Sequence, residues 1–134
     1  MSNTCIITGT DTDVGKTVVA AMLTLALGGT YWKPIQCGVE GGVDTKAVQK
    51  MTNLPDERFL PESYVFTEPL SPHRAAELDE SRVDVDSLVI PEHTSDFDGP
   101  LIIEGAGGLM VPLTRENLLA VSYTHLRAHE TDTD

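Results

Sequence analysis

Cysteine is scarce in this chain: Cys5 and Cys37 are too few for a disulfide framework and lack the spacing of a metal-binding pair. Long apolar runs are missing too, and none approaches the ~20 residues that a membrane-spanning helix needs. Basic residues are few, with 9 Lys and Arg against 21 Asp and Glu and a net charge of −12 at pH 7. A phosphate backbone is held by clustered Lys and Arg, so no nucleic-acid partner is expected. The N-terminal Met-Ser-Asn-Thr carries no basic region, so a secretory signal is not expected either. Together these absences point to a reducing, cytoplasmic setting.

What is present suits one folded domain. The chain has 134 residues, 40% of them hydrophobic and 22% charged, enough for a single core and too little for two. Thr4–Thr8 reads as a strand, ended by Gly9 and a polar loop from Thr10 to Gly15. Lys16–Leu27 reads as a helix stopped by Gly28-Gly29. It is so apolar around its circumference that it should pack against a sheet rather than leave one side exposed. Thr30–Gln36 reads as a second strand, and a right-handed crossover would make it parallel to the first. Asp44 opens a short helix to about Met51. The stretch from Asn53 to Pro72 carries Pro55, Pro61, Pro69 and Pro72 and reads as an ordered loop or a series of turns. Weak helices are expected at Pro72–Leu78 and Val85–Ile90, and the clearest buried strand at Pro100–Glu104.

The chemistry gathers at strand ends. Gly9-Thr10-Asp11-Thr12-Asp13-Val14-Gly15-Lys16-Thr17 follows a strand and opens a helix, the context of a phosphate-binding P-loop. Its backbone N–H groups and the positive end of the helix would wrap phosphates, Lys16 would neutralise them, and the Thr17 hydroxyl would ligate Mg²⁺. Gly9 lies one residue further from Gly15 than the strict G-x-x-x-x-G-K-[ST] spacing. Glu104, in Ile102-Ile103-Glu104-Gly105-Ala106-Gly107-Gly108, ends an apolar strand. There it is either a second Mg²⁺ ligand or a solvated strand end. Lys33 sits inside a β-prone run, where a lysine either snorkels to solvent or serves anionic chemistry. Cys37 reads equally as a small buried residue, Asp44 as a helix cap, and His73 as structural.

These motifs, with Lys33-Pro34-Ile35-Gln36-Cys37-Gly38 and Ser71-Pro72-His73 in the same order, closely resemble the dethiobiotin synthetase family of biotin biosynthesis. The resemblance runs from Cys5 to about Ala120. It implies an α/β P-loop NTPase-like fold, a parallel sheet flanked by helices, working as a homodimer. It further implies a ligase that uses ATP, Mg²⁺ and CO₂ to close a ureido ring on 7,8-diaminononanoate. Carried over by position, Asp13, Val14, Gly15, Lys16, Thr17 and Val18 hold the nucleotide. Asp44 with Glu104, Gly105, Ala106 and Gly107 completes that side. Thr17, Asp44 and Glu104 surround Mg²⁺, Lys33 is catalytic, and Thr12 and Cys37 face the substrate. Cys37 replaces the hydroxyl residue often found there, and the Lys16-to-Lys33 interval is short for the family. A ParA/MinD-like switch ATPase is the rival reading, but Gly9–Asp13 lacks the extra lysine of that group.

The last segment departs from the pattern. Val121–Asp134 has no apolar period, holds two of the four histidines, and resembles a translated sequencing adapter. The expectation is a native part at residues 1–120, incomplete at its C-terminus, with a foreign tail at 121–134. Such a chain is expected to be an inactive fragment of the synthetase by itself.

Overall fold

β5 (Leu101–Gly108) forms the centre of the main sheet, flanked by β1 (Thr4–Gly9) and β2 (Thr30–Trp32). The computed structural model describes residues 4–9, 15–90 and 99–108. Both outer strands run parallel to β5, with Thr4 and Thr30 each level with Leu101 and Trp32 level with Ile103. The expected parallel relation of the first two strands therefore holds through β5 rather than by direct pairing. A second parallel pair joins β3 (Ile35–Cys37) to β4 (Tyr64–Phe66). The helices are α1 (Lys16–Ala26), α2 (Asp44–Thr52) and α3 (Pro72–Leu78). This is the expected α/β architecture of a P-loop NTPase-like domain.

Side-chain alternation divides the core. Ile102 joins Ala20, Ala21, Tyr31 and Val48 beneath α1 and α2. Leu101 and Ile103, pointing the other way as a strand's period of two demands, join Trp32 and Leu60. A third cluster gathers Ile35, Phe66, Ala75, Ala76 and Ala106 around β3, β4 and α3. β5 is thus apolar on successive residues, as an inner parallel strand must be. Gly29 lets α1 return tightly to the sheet, because a Cβ there would come within 2.7 Å of the Pro100 carbonyl oxygen.

Five expectations are corrected. The buried strand does not stop at Glu104, because β5 continues through Gly105-Ala106-Gly107-Gly108. Thr30–Gln36 is not one strand but two, because Pro34 has no N–H for the ladder. Its carbonyl instead accepts from the N–H groups of Ser63 (2.8 Å) and Tyr64 (3.0 Å), so β3 leaves the main sheet to pair with β4. The proline-rich stretch contains that strand, Tyr64-Val65-Phe66, and a 3₁₀ turn at Asp56–Arg58. Val85–Ile90 is only a 3₁₀ turn, Val85–Ser87, capped by the Asp84 carboxylate accepting from the Asp86 N–H. Finally, α1 does leave an apolar side exposed: Met22 is 64% and Leu25 55% accessible. The reason is its narrow buried face, where the small Ala20, Ala21 and Thr24 allow close approach to the sheet while the larger side chains project outward.

Thr10–Val14, the Asn117–Ala120 stretch, the boundary at Ala120 and the tail Val121–Asp134 lie outside the described residues. Among the described residues, no helix is long and apolar enough to cross a membrane.

Candidate active site

Sheet register brings the site together. Trp32 is level with Ile103 on β5, so Lys33, just past the carboxyl end of β2, and Glu104, midway along β5, come side by side. Gly15, with φ of 86°, turns the chain into α1 at the same end and starts it directly with Lys16 and Thr17. Glu104 is 1% exposed and receives three donors, from α1, from β2 and from Lys33 just beyond β2. The Thr17 hydroxyl gives to its Oε2 at 2.9 Å, and Lys33 Nζ gives to the same oxygen at 3.2 Å. The buried Tyr31 hydroxyl gives to Oε1 at 2.7 Å. The alternatives left open by the sequence are resolved: Glu104 is not a solvated strand end, and Lys33 does not snorkel, its side chain being 7% exposed.

Lys33 also pairs with the Asp44 carboxylate. Asp44 is not the helix cap that the sequence suggested: Val43 occupies that position and Asp44 begins the helix proper. Its own N–H donates to Gln36 Oε1 at 3.0 Å, while Gln36 Nε2 donates to the Gly38 carbonyl at 2.9 Å. Gln36 therefore pins both ends of the loop between β3 and α2 and leaves the Asp44 carboxylate turned toward Lys33. Gln36 and Tyr31 were missed by sequence reasoning. The available signal was a polar group at each site inside an otherwise apolar β-prone run, where a buried polar atom must find a partner.

These groups line a cleft of about 760 Å³ shared by Gly15, Lys16, Thr17, Val18, Lys33, Cys37, Asp44, Glu104 and Ala106, with Ser71 and Pro72 at the start of α3. Gly105 is buried within β5, and Gly107 lies in the same strand. Thr12, Asp13 and Val14 fall outside the described residues. His73 takes no part in the cluster; its Nε2 meets Glu77 Oε1 at 2.7 Å one helical turn away, consistent with its structural reading.

Burial holds the Tyr31 phenol far above the usual range, and the adjacent Glu104 charge and hydrogen bond push it further the same way. Tyr31 is thereby a fixed donor. Burial also pushes the Cys37 thiol up to about 11; Lys33 opposes this and Asp79 adds to it. A protonated thiol at neutral pH is a weak donor and no nucleophile.

The donor set can be tested against a metal. Among the described residues, no three His, Cys, Asp or Glu side chains form a self-sufficient metal cluster. Thr17, Asp44 and Glu104 do offer one hydroxyl and two carboxylates, all hard oxygen donors, around a single ammonium. The excess negative charge and the oxygen chemistry fit Mg²⁺, which is commonly held by one or two carboxylates while phosphates and water fill its shell.

A family model described as AAA domain matches residues 3–129. The chain is 49% identical over 128 residues to the ATP-dependent dethiobiotin synthetase of Rhodopseudomonas palustris (strain HaA2), covering 96% of this chain and 56% of that protein. It is 48% identical over 128 residues to the protein of the same name from Nitrobacter hamburgensis, covering 96% of this chain and 57% of the relative. A third protein of that name, from Afipia carboxidovorans, is 48% identical over 118 residues, covering 88% and 55% respectively. The resemblance carried by the motifs therefore extends across most of the chain. The chain spans about half the length of these curated relatives.

Proposed function

The chain belongs to the AAA-domain family, and from that premise we propose that its cleft serves the dethiobiotin synthase reaction of biotin biosynthesis, an ATP-dependent ureido ring closure. The observation that carries this reading is the Lys33 ammonium held between Asp44 and Glu104, with Thr17 on the same Glu104 oxygen. One amine of 7,8-diaminononanoate takes up CO₂ as a carbamate. A carbamate oxygen attacks the γ-phosphorus of ATP, the bond to the β–γ bridging oxygen breaks, and ADP leaves a carbamic–phosphoric anhydride. The second amine attacks the carbonyl carbon and gives its proton to solvent, and phosphate departs as the ring closes.

This chemistry asks for positioning and charge neutralisation rather than a protein nucleophile. Lys16 and the backbone of Asp13, Val14, Gly15, Thr17 and Val18 hold the phosphates at the helix N-terminus. Lys33 balances charge on the carbamate and on the phosphoryl group in transfer. Thr17, Asp44 and Glu104 hold Mg²⁺, which supplies neutralisation of the phosphate oxygens when bound. Gly105, Ala106 and Gly107 complete the nucleotide side, and Thr12 and Cys37 face the diamine. The whole protein is proposed to act as a cytoplasmic homodimer.

Two measurements test the reading. The 134-residue chain should bind ATP more tightly with Mg²⁺ present, and Lys16→Ala should cost about 2 kcal/mol of that affinity, the worth of a charged hydrogen bond. In a catalytically competent form, ATP turnover should require both diamine and bicarbonate, with dethiobiotin identified by mass. Hydrolysis indifferent to the diamine would favour a switch ATPase instead.

A further inference from the structure

We propose that Tyr31 is a positioning residue that fixes which oxygen of Glu104 faces the cleft. The two oxygens of Glu104 have different partners: Oε1 accepts from the Tyr31 hydroxyl at 2.7 Å, and Oε2 accepts from Thr17 and Lys33. A carboxylate held only at Oε2 could rotate about its last bond and present either oxygen, or both, to a cation. The phenol removes that freedom. Tyr31 cannot follow a rotation, because it is wholly buried among Ala20, Ala21, Val48 and Ile102, and its ring lies 6.1 Å from that of Phe59. Its carbonyl accepts the Leu60 N–H at 2.9 Å, and its strand register opposite Ile102 fixes the backbone. Oε2 is thus the oxygen turned to the cleft, beside the Thr17 hydroxyl and the Lys33 ammonium, and the one that would be offered to a cation. The inference depends on the Mg²⁺–ATP reading of the cleft.

Tyr31→Phe deletes one oxygen and keeps the ring, so a role in packing alone should leave the site unaffected. The test measures binding of a non-hydrolysable ATP analogue to the 134-residue chain by calorimetry, at a series of Mg²⁺ concentrations and in EDTA. The expected result is a ~10-fold rise in the Mg²⁺ needed for half-maximal enhancement, the usual size for losing a group that orients a ligand, with binding in EDTA unchanged. Superimposable Mg²⁺ curves in parent and variant overturn the role of Tyr31 while leaving the site reading intact. A parent chain with no Mg²⁺-dependent binding overturns the site reading and the role of Tyr31 with it. A second measurement needs no change at Tyr31. With Tyr64→Phe and Tyr123→Phe, Tyr31 is the only tyrosine left, and 3-fluorotyrosine labels it alone. Its fluorine resonance should shift when Mg²⁺ and the analogue bind together and stay in place with the analogue in EDTA. A resonance indifferent to Mg²⁺ counts against the proposal.

Discussion

Glu104 and Asp44 share one lysine, yet the surroundings of the two acids differ. The Glu104 side chain is 1% exposed midway along the central strand, and the Asp44 side chain is 31% exposed in the first turn of α2. Glu104 is gripped from α1, from β2 and by Lys33 just beyond that strand. The Asp44 carboxylate meets Lys33 from a short helix that is moored by its backbone to Gln36. The same chemical group is enclosed in one place and partly open to solvent in the other.

Removing the shared cation should have the largest effect. Lys33→Met leaves a buried carboxylate without its counter-charge, a change that costs about 3 kcal/mol where the pair is buried. Urea unfolding should show this loss, and adding Glu104→Gln should recover part of it. A parent-like midpoint for Lys33→Met would mean that the two acids do not depend on the lysine. In a catalytically competent form, Lys33→Gln should lower kcat far more than it weakens nucleotide binding.

Next in size comes the contrast between the acids themselves. Glu104→Gln should lose about 2 kcal/mol, because a charged hydrogen-bond hub is replaced by an amide in a buried site. Asp44→Asn should lose less than about 1 kcal/mol, as expected for a pair open to solvent. Equal losses would erase the distinction between the enclosed and the partly exposed acid.

At neutral pH the smallest effect lies on β3, where burial and Lys33 pull the Cys37 thiol in opposite directions and burial wins. The folded thiol titrates at about 11 against an unfolded 9.0. Between those values the native state holds a proton that the unfolded chain has released, so stability falls as pH rises through this window. Below pH 9 the contribution is fully present. The urea midpoint of Cys37→Ala should therefore fall less steeply than that of the parent over pH 9–11, and Lys33→Met should push the thiol's titration higher still. Parallel profiles for Cys37→Ala and the parent would remove Cys37 as the source.

The parts of this arrangement legible in the sequence are those written in contiguous residues. Gly15-Lys16-Thr17 after a strand, and Glu104 at the end of Leu101-Ile102-Ile103, announce themselves by local pattern. The break at Pro34 was also visible, but Thr30–Gln36 reads as β-prone on both sides of it, and the choice of β4 as the new partner is a long-range matter. Tyr31 was hidden for a related reason: a tyrosine in a strand reads as core, and its hydroxyl acquires meaning only when β5 brings Glu104 alongside. The exposed apolar side of α1 was misjudged because composition counts apolar residues without saying which face the small ones occupy. Thr12, Asp13 and Val14 stay as sequence-based assignments.

The position of β5 has a kinetic consequence. The two strands beside it are made early, yet neither bonds to the other, and β1 meets β5 only once Leu101–Glu104 have been made. During synthesis β1 and β2 therefore leave the ribosome with bare edges, and the sheet closes as a late event across a very long loop. Such non-local closure is slow, and the waiting strands are open to pairing between chains. The net charge of −12 then acts as a safeguard in time: mutual repulsion keeps nascent chains apart until β5 slots between β1 and β2.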